Sequence, residues 1–233
     1  MREKIYLIPG LMTDERLWQR FTPLLKDKFE FVHINIPNTS DYDQINTILD
    51  KTLKEKRVNI LGFSLGSYIA TYFSIMFPHR VKRLFNVAGT PSKTNNIEIN
   101  RRTEKINSIN KNGFTLLGEK KALSLLENKN DKDLVKLVQL MYENLGKEVF
   151  INQLGSTLYR KDLFEYIKNI DIPIYYYYSV GDRLLNHDAI KILKDMKLKN
   201  INICSREGIS HNIPLEDPIN FSKQIVSWMN TKV

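Results

Sequence analysis

The sequence predicts an α/β fold: a mostly parallel sheet with helices on both faces, interrupted by a helical insertion. Two observations predict the layers. Apolar, β-rich runs alternate with helical patterns from residue 4 to 88 and again from 174 to 229, and such repetition implies parallel pairing through right-handed crossovers. Arg57–Leu61 also passes through Gly62-Phe63-Ser64-Leu65-Gly66 directly into an apolar helix, the sharp strand-to-helix turn of a nucleophile elbow. A third observation predicts the insertion. Between about Pro91 and Asp171 no convincing strand is found and helical periodicity dominates. The expected division is a core of residues 1–90 and 172–233, with a helical cap of residues 91–171 inserted in it.

Each element follows from local pattern. Lys4–Ile8 is the first strand, ended by Pro9-Gly10, and Asp14–Leu25 the first helical stretch. Phe31–Ile36, Tyr42–Lys54 and Arg57–Leu61 give strand, helix and strand. Leu65–Phe77 is a helix stopped at Pro78, and Arg83–Ala88 the fourth strand. In the insertion, Leu134, Leu137, Val138, Met141, Tyr142 and Leu145 repeat at helical spacing behind a capping candidate, Asn130 or Asp131. That face is expected to pack cap against sheet, with Phe114, Leu116, Leu117, Phe150 and Leu154 as candidates to line an apolar pocket. Ile174–Val180, with its four consecutive tyrosines, is the fifth strand, and Ile201–Cys204 the last. Asp188–Met196 and Pro218–Met229 complete the helices.

A chain of 233 residues, 42% hydrophobic, supports one sizeable core. The lone Cys204 excludes an internal disulfide and fits a reducing compartment. The apolar run after Met1-Arg2-Glu3-Lys4 is too short for a secretory signal, and Phe63–Phe77 falls short of the roughly 20 residues that a membrane span needs. A soluble, cytoplasmic protein with no membrane span is therefore expected. The net charge of +9 is dispersed, as in Glu119-Lys120-Lys121 and Asp131-Lys132-Asp133, without an Arg-rich arm or an aromatic-basic strand motif. That pattern predicts a solvated lysine surface and no nucleic-acid partner. Arg101, Arg102, Lys105 and Lys111 form the most concentrated basic group, suited to steering an anionic substrate or acidic carrier. Neither metal-ligand spacing nor a phosphate-cradling glycine loop occurs, so no metal and no cofactor are expected. The sequence leaves the oligomeric state open.

An elbow serine is a weak nucleophile that needs a base, itself oriented by an acid. Four histidines are available. His33 lies in a strand before the elbow, His79 at the far end of the elbow helix, and His187 opens a later helix. His211, in Gly208-Ile209-Ser210-His211-Asn212-Ile213-Pro214 just past the last strand, is the chosen base. Asp182 follows the fifth strand at the carboxyl edge, where parallel sheets place active sites, and is the chosen acid. Asp188 is the fallback, and a turn role after Gly181 the competing reading of Asp182.

Serine, acid and histidine in that order resemble the α/β-hydrolase superfamily. The resemblance runs over essentially the whole chain, from the Leu7-Ile8-Pro9-Gly10-Leu11 opening to the Ser210-His211 loop and closing helix. Pro9-Gly10-Leu11-Met12 with Arg16-Leu17-Trp18, and a cap set between Ala88-Gly89-Thr90-Pro91 and Asp171-Ile172-Pro173, are similar to small capped bacterial carboxylesterases. The branch that includes the pimeloyl-carrier-protein methyl ester esterase is one neighbour. The resemblance implies a serine hydrolase that cleaves a carboxylic ester or thioester through an acyl-enzyme, on a small acyl substrate that is free or on an acidic carrier. It also implies an oxyanion hole formed by the backbone N–H groups of Leu65 and Leu11. The chain departs from the family where many members have a histidine, here Pro9, and where many have a further elbow glycine, here Ser67. The first bears on the oxyanion loop, the second on helix packing. The fold also hosts catalytically silent ligand-binding proteins, acyltransferases and lyases, which stand as alternatives. Activity is expected to fall on acidification as His211 takes up a proton.

Overall fold

A computed structural model describes residues 2–232. Its strands are β1 (Glu3–Ile8), β2 (Phe29–His33), β3 (Val58–Phe63), β4 (Val81–Val87), β5 (Ile174–Ser179) and β6 (Ile201–Arg206). They form one sheet in the order β2-β1-β3-β4-β5-β6, with every neighbouring pair parallel. The strand order reverses between β1 and β3. In open parallel sheets, ligands bind outside the carboxyl ends of the strands at such a switch point. Ser64 leaves β3 and Leu11 lies just beyond β1, so both are delivered there.

The helices are α1 (Thr22–Leu25), α2 (Tyr42–Thr52), α3 (Leu65–Met76), α4 (Asn96–Asn112), α5 (Glu119–Leu123), α6 (Lys132–Ser156), α7 (Phe164–Ile167), α8 (His187–Asp195), α9 (Ile213–Glu216) and α10 (Pro218–Met229). The two-residue period of a strand sorts side chains between the two faces of the sheet. Tyr6, Ile8 and Ile60 pack with Ile45, Ile69 and Ile190 of α2, α3 and α8. Ile5, Leu7 and Leu61 face the other way, against Phe21, Phe221 and Trp228. β3 is buried along its whole length, as befits a parallel strand covered on both faces.

Most strand and helix ends lie within two residues of expectation, and the larger departures have physical causes. The second strand begins two residues early and ends at His33, because its register on β1 runs from Glu3 opposite Phe29 to Leu7 opposite His33. Asp14–Leu25 is not one helix: a 3₁₀ turn at Glu15–Trp18 and the short α1 are separated. Pro23 lacks the N–H that a helix would need and its ring would meet the carbonyl four residues back. The stripe beginning at Leu134 belongs to α6, which continues to Ser156 across a break at Gly146, where φ is 73° and ψ −173°.

Between β4 and β5 the described elements are helical. Leu134, Val138 and Met141 pack into the same cluster as Leu7 and Phe63. Tyr142 turns to a third cluster with Met12, Ile109, Phe150 and Leu154. Phe114 stacks on Tyr142 at 5.1 Å within that cluster, whereas Leu116 is 61% exposed. Among the described residues no helix is long and apolar enough to cross a membrane.

Candidate active site

Where β3 gives way to α3, Ser64 adopts φ 52° and ψ −110°, a conformation costly for any residue with a Cβ. The surrounding packing holds it there. The Ser64 N–H donates to the Val87 carbonyl of β4 at 2.8 Å, and the Ser64 carbonyl accepts from Ser67 N–H at 3.1 Å. A Cβ at Gly62 would lie 2.3 Å from the Gly66 carbonyl oxygen, and one at Gly66 2.2 Å from that of Ile8. Both glycines of the elbow are therefore required by contact with backbone. Ser67 stitches the helix to the sheet: its hydroxyl donates to the Gly62 carbonyl at 2.6 Å and accepts from Val87 N–H at 3.1 Å. Room for it comes from Gly89, where a Cβ would sit 2.5 Å from that of Ser67.

Loops from two more strands converge on the serine. His211 Nε2 lies 3.0 Å from Ser64 Oγ, and His211 Nδ1 lies 2.7 Å from Asp182 Oδ2. A carboxylate only accepts, so Nδ1 carries the proton and Nε2 is left to accept from the serine hydroxyl. Asp182 is 1% exposed, and its other oxygen accepts from Leu184 N–H at 2.9 Å. The Phe63 ring covers the imidazole with centroids 5.1 Å apart. The fallback acid, Asp188, is exposed in the first turn of α8.

The other histidines sit elsewhere. His33 accepts from Trp18 Nε1 at 3.2 Å and pairs with Asn35 at 2.9 Å, and His79 is exposed. His187 has a supporting place, its Nε2 donating to the Asp182 carbonyl at 2.7 Å.

The histidine loop is held by residues that sequence reasoning missed. The Ser210 carbonyl accepts from Ser179 Oγ at 2.7 Å, its N–H donates to Glu127 Oε2 at 3.3 Å, and its hydroxyl donates to Glu216. Glu216 also accepts from the N–H groups of Glu127 and Asn128, and Asn212 Nδ2 donates to the Leu125 carbonyl at 3.0 Å. Arg206 bridges Glu127 at 2.8 Å and Asp217 at 2.9 Å. Burial opposes its charge, but the two carboxylates outweigh it and hold its pKa above the ordinary value. No local signal marks Glu127, which comes from the segment between β4 and β5.

The loop after β1 lies against the nucleophile: a Cβ at Gly10 would be 3.1 Å from that of Ser64 and 2.8 Å from the Phe63 ring. Among the described residues the N–H groups of Leu11 and of Leu65, the first residue of α3, have no hydrogen-bond partner. Met12, the next residue, takes φ 54°, and its N–H donates to Gln153 Oε1 of α6 at 2.8 Å. Also among the described residues, no group of three His, Cys, Asp or Glu side chains is placed to hold a metal ion. The arrangement can deprotonate a hydroxyl beside unengaged backbone donors, which is the chemistry of acyl transfer.

Comparison with known proteins bears on the fold and on the class of activity. A family model described as the α/β hydrolase fold matches residues 5–218. The chain is 25% identical to the pimeloyl-[acyl-carrier protein] methyl ester esterase of Wigglesworthia glossinidia brevipalpis, over 95% of this chain and 91% of that one. It is 26% identical to the protein of the same name from Legionella pneumophila strain Lens, over 82% and 80%. In fold it is similar to the enol-lactonase from Burkholderia xenovorans LB400, with a TM-score of 0.84 at 16% identity over 99% of this chain and 92% of that one. A thermophilic esterase from Thermogutta terrifontis gives 0.81 at 14% identity, over 97% and 89%.

Proposed function

The chain belongs to the α/β-hydrolase fold family and is an ester-cleaving member of it, and from that premise we propose that Ser64, His211 and Asp182 carry the reaction through an acyl-enzyme. The observation that carries this reading is the unbroken line of hydrogen bonds from Asp182 Oδ2 through both nitrogens of His211 to Ser64 Oγ. His211 Nε2 takes the serine proton as Oγ attacks the carbonyl carbon. Asp182 keeps the imidazole in the required tautomer and offsets the charge it gains. The oxyanion is received by the N–H groups of Leu65 and Leu11, each such donor contributing about 2.7–4 kcal/mol to the transition state. Collapse expels the alcohol, which takes the proton from His211. Water then repeats the sequence on the acyl-serine and frees the acid.

Residues 91–171 act in this reading as a cap that closes an apolar compartment over Ser64, with Phe114, Tyr142, Phe150 and Leu154 supplying its aromatic and aliphatic wall. The substrate proposed is an ester of an acyl chain borne on an acidic carrier. Two observations support it: the relatives named for a carrier-linked methyl ester, and the charge of α4. That helix carries Arg101, Arg102, Lys105 and Lys111 against Glu98 and Glu104, and both arginines share Glu98. The Arg102 pKa is lowered by burial first and by Arg160 next, and its buried Nη1 has no partner among the described residues. An anion brought to α4 would offset the repulsion from Arg160. The basic charge is thus assigned to a carrier protein and not to nucleic acid, and the unpaired Cys204 to a reducing cytoplasm.

Initial rates on p-nitrophenyl esters of increasing acyl length, for the protein and its Ser64→Ala variant, test the chemistry. Rates retained in the variant would remove Ser64 from the mechanism. Methyl esters of one acyl chain, presented free and on an acyl carrier protein, test the substrate. A lower KM for the carrier form that rises with added salt is expected. Equal KM values would return the reading to a small free ester.

A further inference from the structure

We propose that Gln153, on the inserted helix α6, is a positioning residue that aims the Leu11 N–H at the reacting carbonyl oxygen. The proposal rests on the reading of Leu11 as an oxyanion donor. A backbone donor in an exit loop is useful only if its direction is set before substrate arrives, and two peptide groups set it here.

The Gly10–Leu11 peptide is held at its carbonyl, which accepts from Thr13 N–H at 3.3 Å and from Thr13 Oγ at 3.1 Å. In a planar trans peptide the N–H points opposite the carbonyl. The Leu11 N–H is therefore turned away from Thr13, in a loop whose Gly10 touches Ser64. The Leu11–Met12 peptide is held at its N–H by Gln153 Oε1 at 2.8 Å.

That second bond opposes a backbone preference. Met12 has φ 54°, which a side chain makes costly, and rotation of the Leu11–Met12 peptide is the easiest way to relax it. Gln153 and Met12 are 4% and 5% exposed, so water cannot replace the acceptor. No other partner for this N–H exists among the described residues, and it lies 141 positions from the one it has. Pro9, at the start of the loop, has no N–H to brace it from within. The orientation of the donor thus depends on Thr13 on one side of Leu11 and on the inserted segment on the other.

Gln153→Met keeps the length of the side chain and removes the acceptor. The expected result is a fall in kcat of about 10- to 100-fold, with KM within about twofold, because misplacing a catalytic group by about 1 Å costs on that scale. A lowered melting temperature with unchanged kcat would overturn the proposal. Replacing the Met12 amide by an ester removes the same bond from its other end without altering a side chain, so the readout survives if Gln153→Met fails to fold. The two changes together should cost no more than either alone, and additive losses would also overturn the proposal. An ester at Leu11 tests the reading underneath, with a loss of about 10²–10³ in kcat expected. No loss there removes Leu11 as donor and the proposal with it. A loss at Leu11 with none at Gln153 or Met12 overturns the positioning role alone.

Discussion

Gly66→Ala adds one methyl group in the first turn of α3 and is expected to damage both stability and catalysis. The new Cβ would stand 2.2 Å from the Ile8 carbonyl oxygen and 2.3 Å from that of Pro9, where an ordinary contact is 3.4 Å or more. Both neighbours are backbone, and Ile8 is paired with Gly62 in the sheet, so no side chain can rotate out of the way. The helix must withdraw from the end of β1 by about 1.2 Å to restore a 3.4 Å contact. Overpacking of this kind costs about 3 kcal/mol at the upper end of its range. The better helix propensity of alanine returns about 1 kcal/mol. The remaining loss, about 2 kcal/mol, lowers Tm by about 4–8 °C in a chain of this size. The same withdrawal carries Ser64 away from the Gly10–Leu11 loop, which predicts a fall in kcat of about 100-fold. A thermal melt followed by circular dichroism and initial rates on a p-nitrophenyl ester read the two effects separately. A melt at or above that of the parent, with kcat within about twofold, would refute the reasoning that α3 is pressed onto the exit of β1.

Asp182→Asn keeps the shape of the acid but turns the imidazole to the wrong tautomer. A fall of about 10⁴-fold in kcat, the scale known for serine-protease triads, is expected in the same rate assay. Ser67→Ala leaves the Gly62 carbonyl and the Val87 N–H without their hydroxyl partner in a buried site, and urea unfolding should register a loss of about 1–3 kcal/mol. Glu127→Ala releases the Ser210 N–H while Arg206 keeps Asp217; loss of order in the histidine loop should lower kcat about tenfold with KM little changed. The Glu55 carboxyl is held down from 4.5 to about 2, chiefly by the Lys4 hydrogen bond and then by that of Tyr6. A depressed carboxylate stabilises fully above its unfolded value and loses that contribution as pH falls through the folded one. The stability difference between the parent and Glu55→Gln should therefore be constant at neutral pH and close between pH 4.5 and about 2. Its size should stay below about 1 kcal/mol, because Glu55 is a third exposed.

Those features that depend on neighbouring residues were legible in the sequence. The elbow is a local device: β-branched residues, then glycine, serine and glycine, then an apolar helix closed by Pro78, and β3 and α3 lie where that pattern puts them. Serine, acid and histidine could be ranked because each follows a strand, and the ends of parallel strands share one edge. The helical character of residues 91–171 was equally local, carried by a 3.6-residue period. Features set by pairing or by reach across the fold were not legible. The span of β2 follows its register on β1 and not its own hydrophobicity, and the stripe from Leu134 gave no warning of the turn at Gly146. Glu127 looks like an ordinary polar residue of a connecting loop, and Gln153 like one of a surface helix. Only the return of the inserted segment onto the core places one against Ser210 and the other against Met12. A hydrogen bond spanning 83 or 141 residues leaves no period and no motif in the chain, because its geometry exists only once the sheet has brought the two partners to the same edge. The residue types of the proposed reaction were thus legible in the sequence alone, and the groups that hold them in place were decided by tertiary structure.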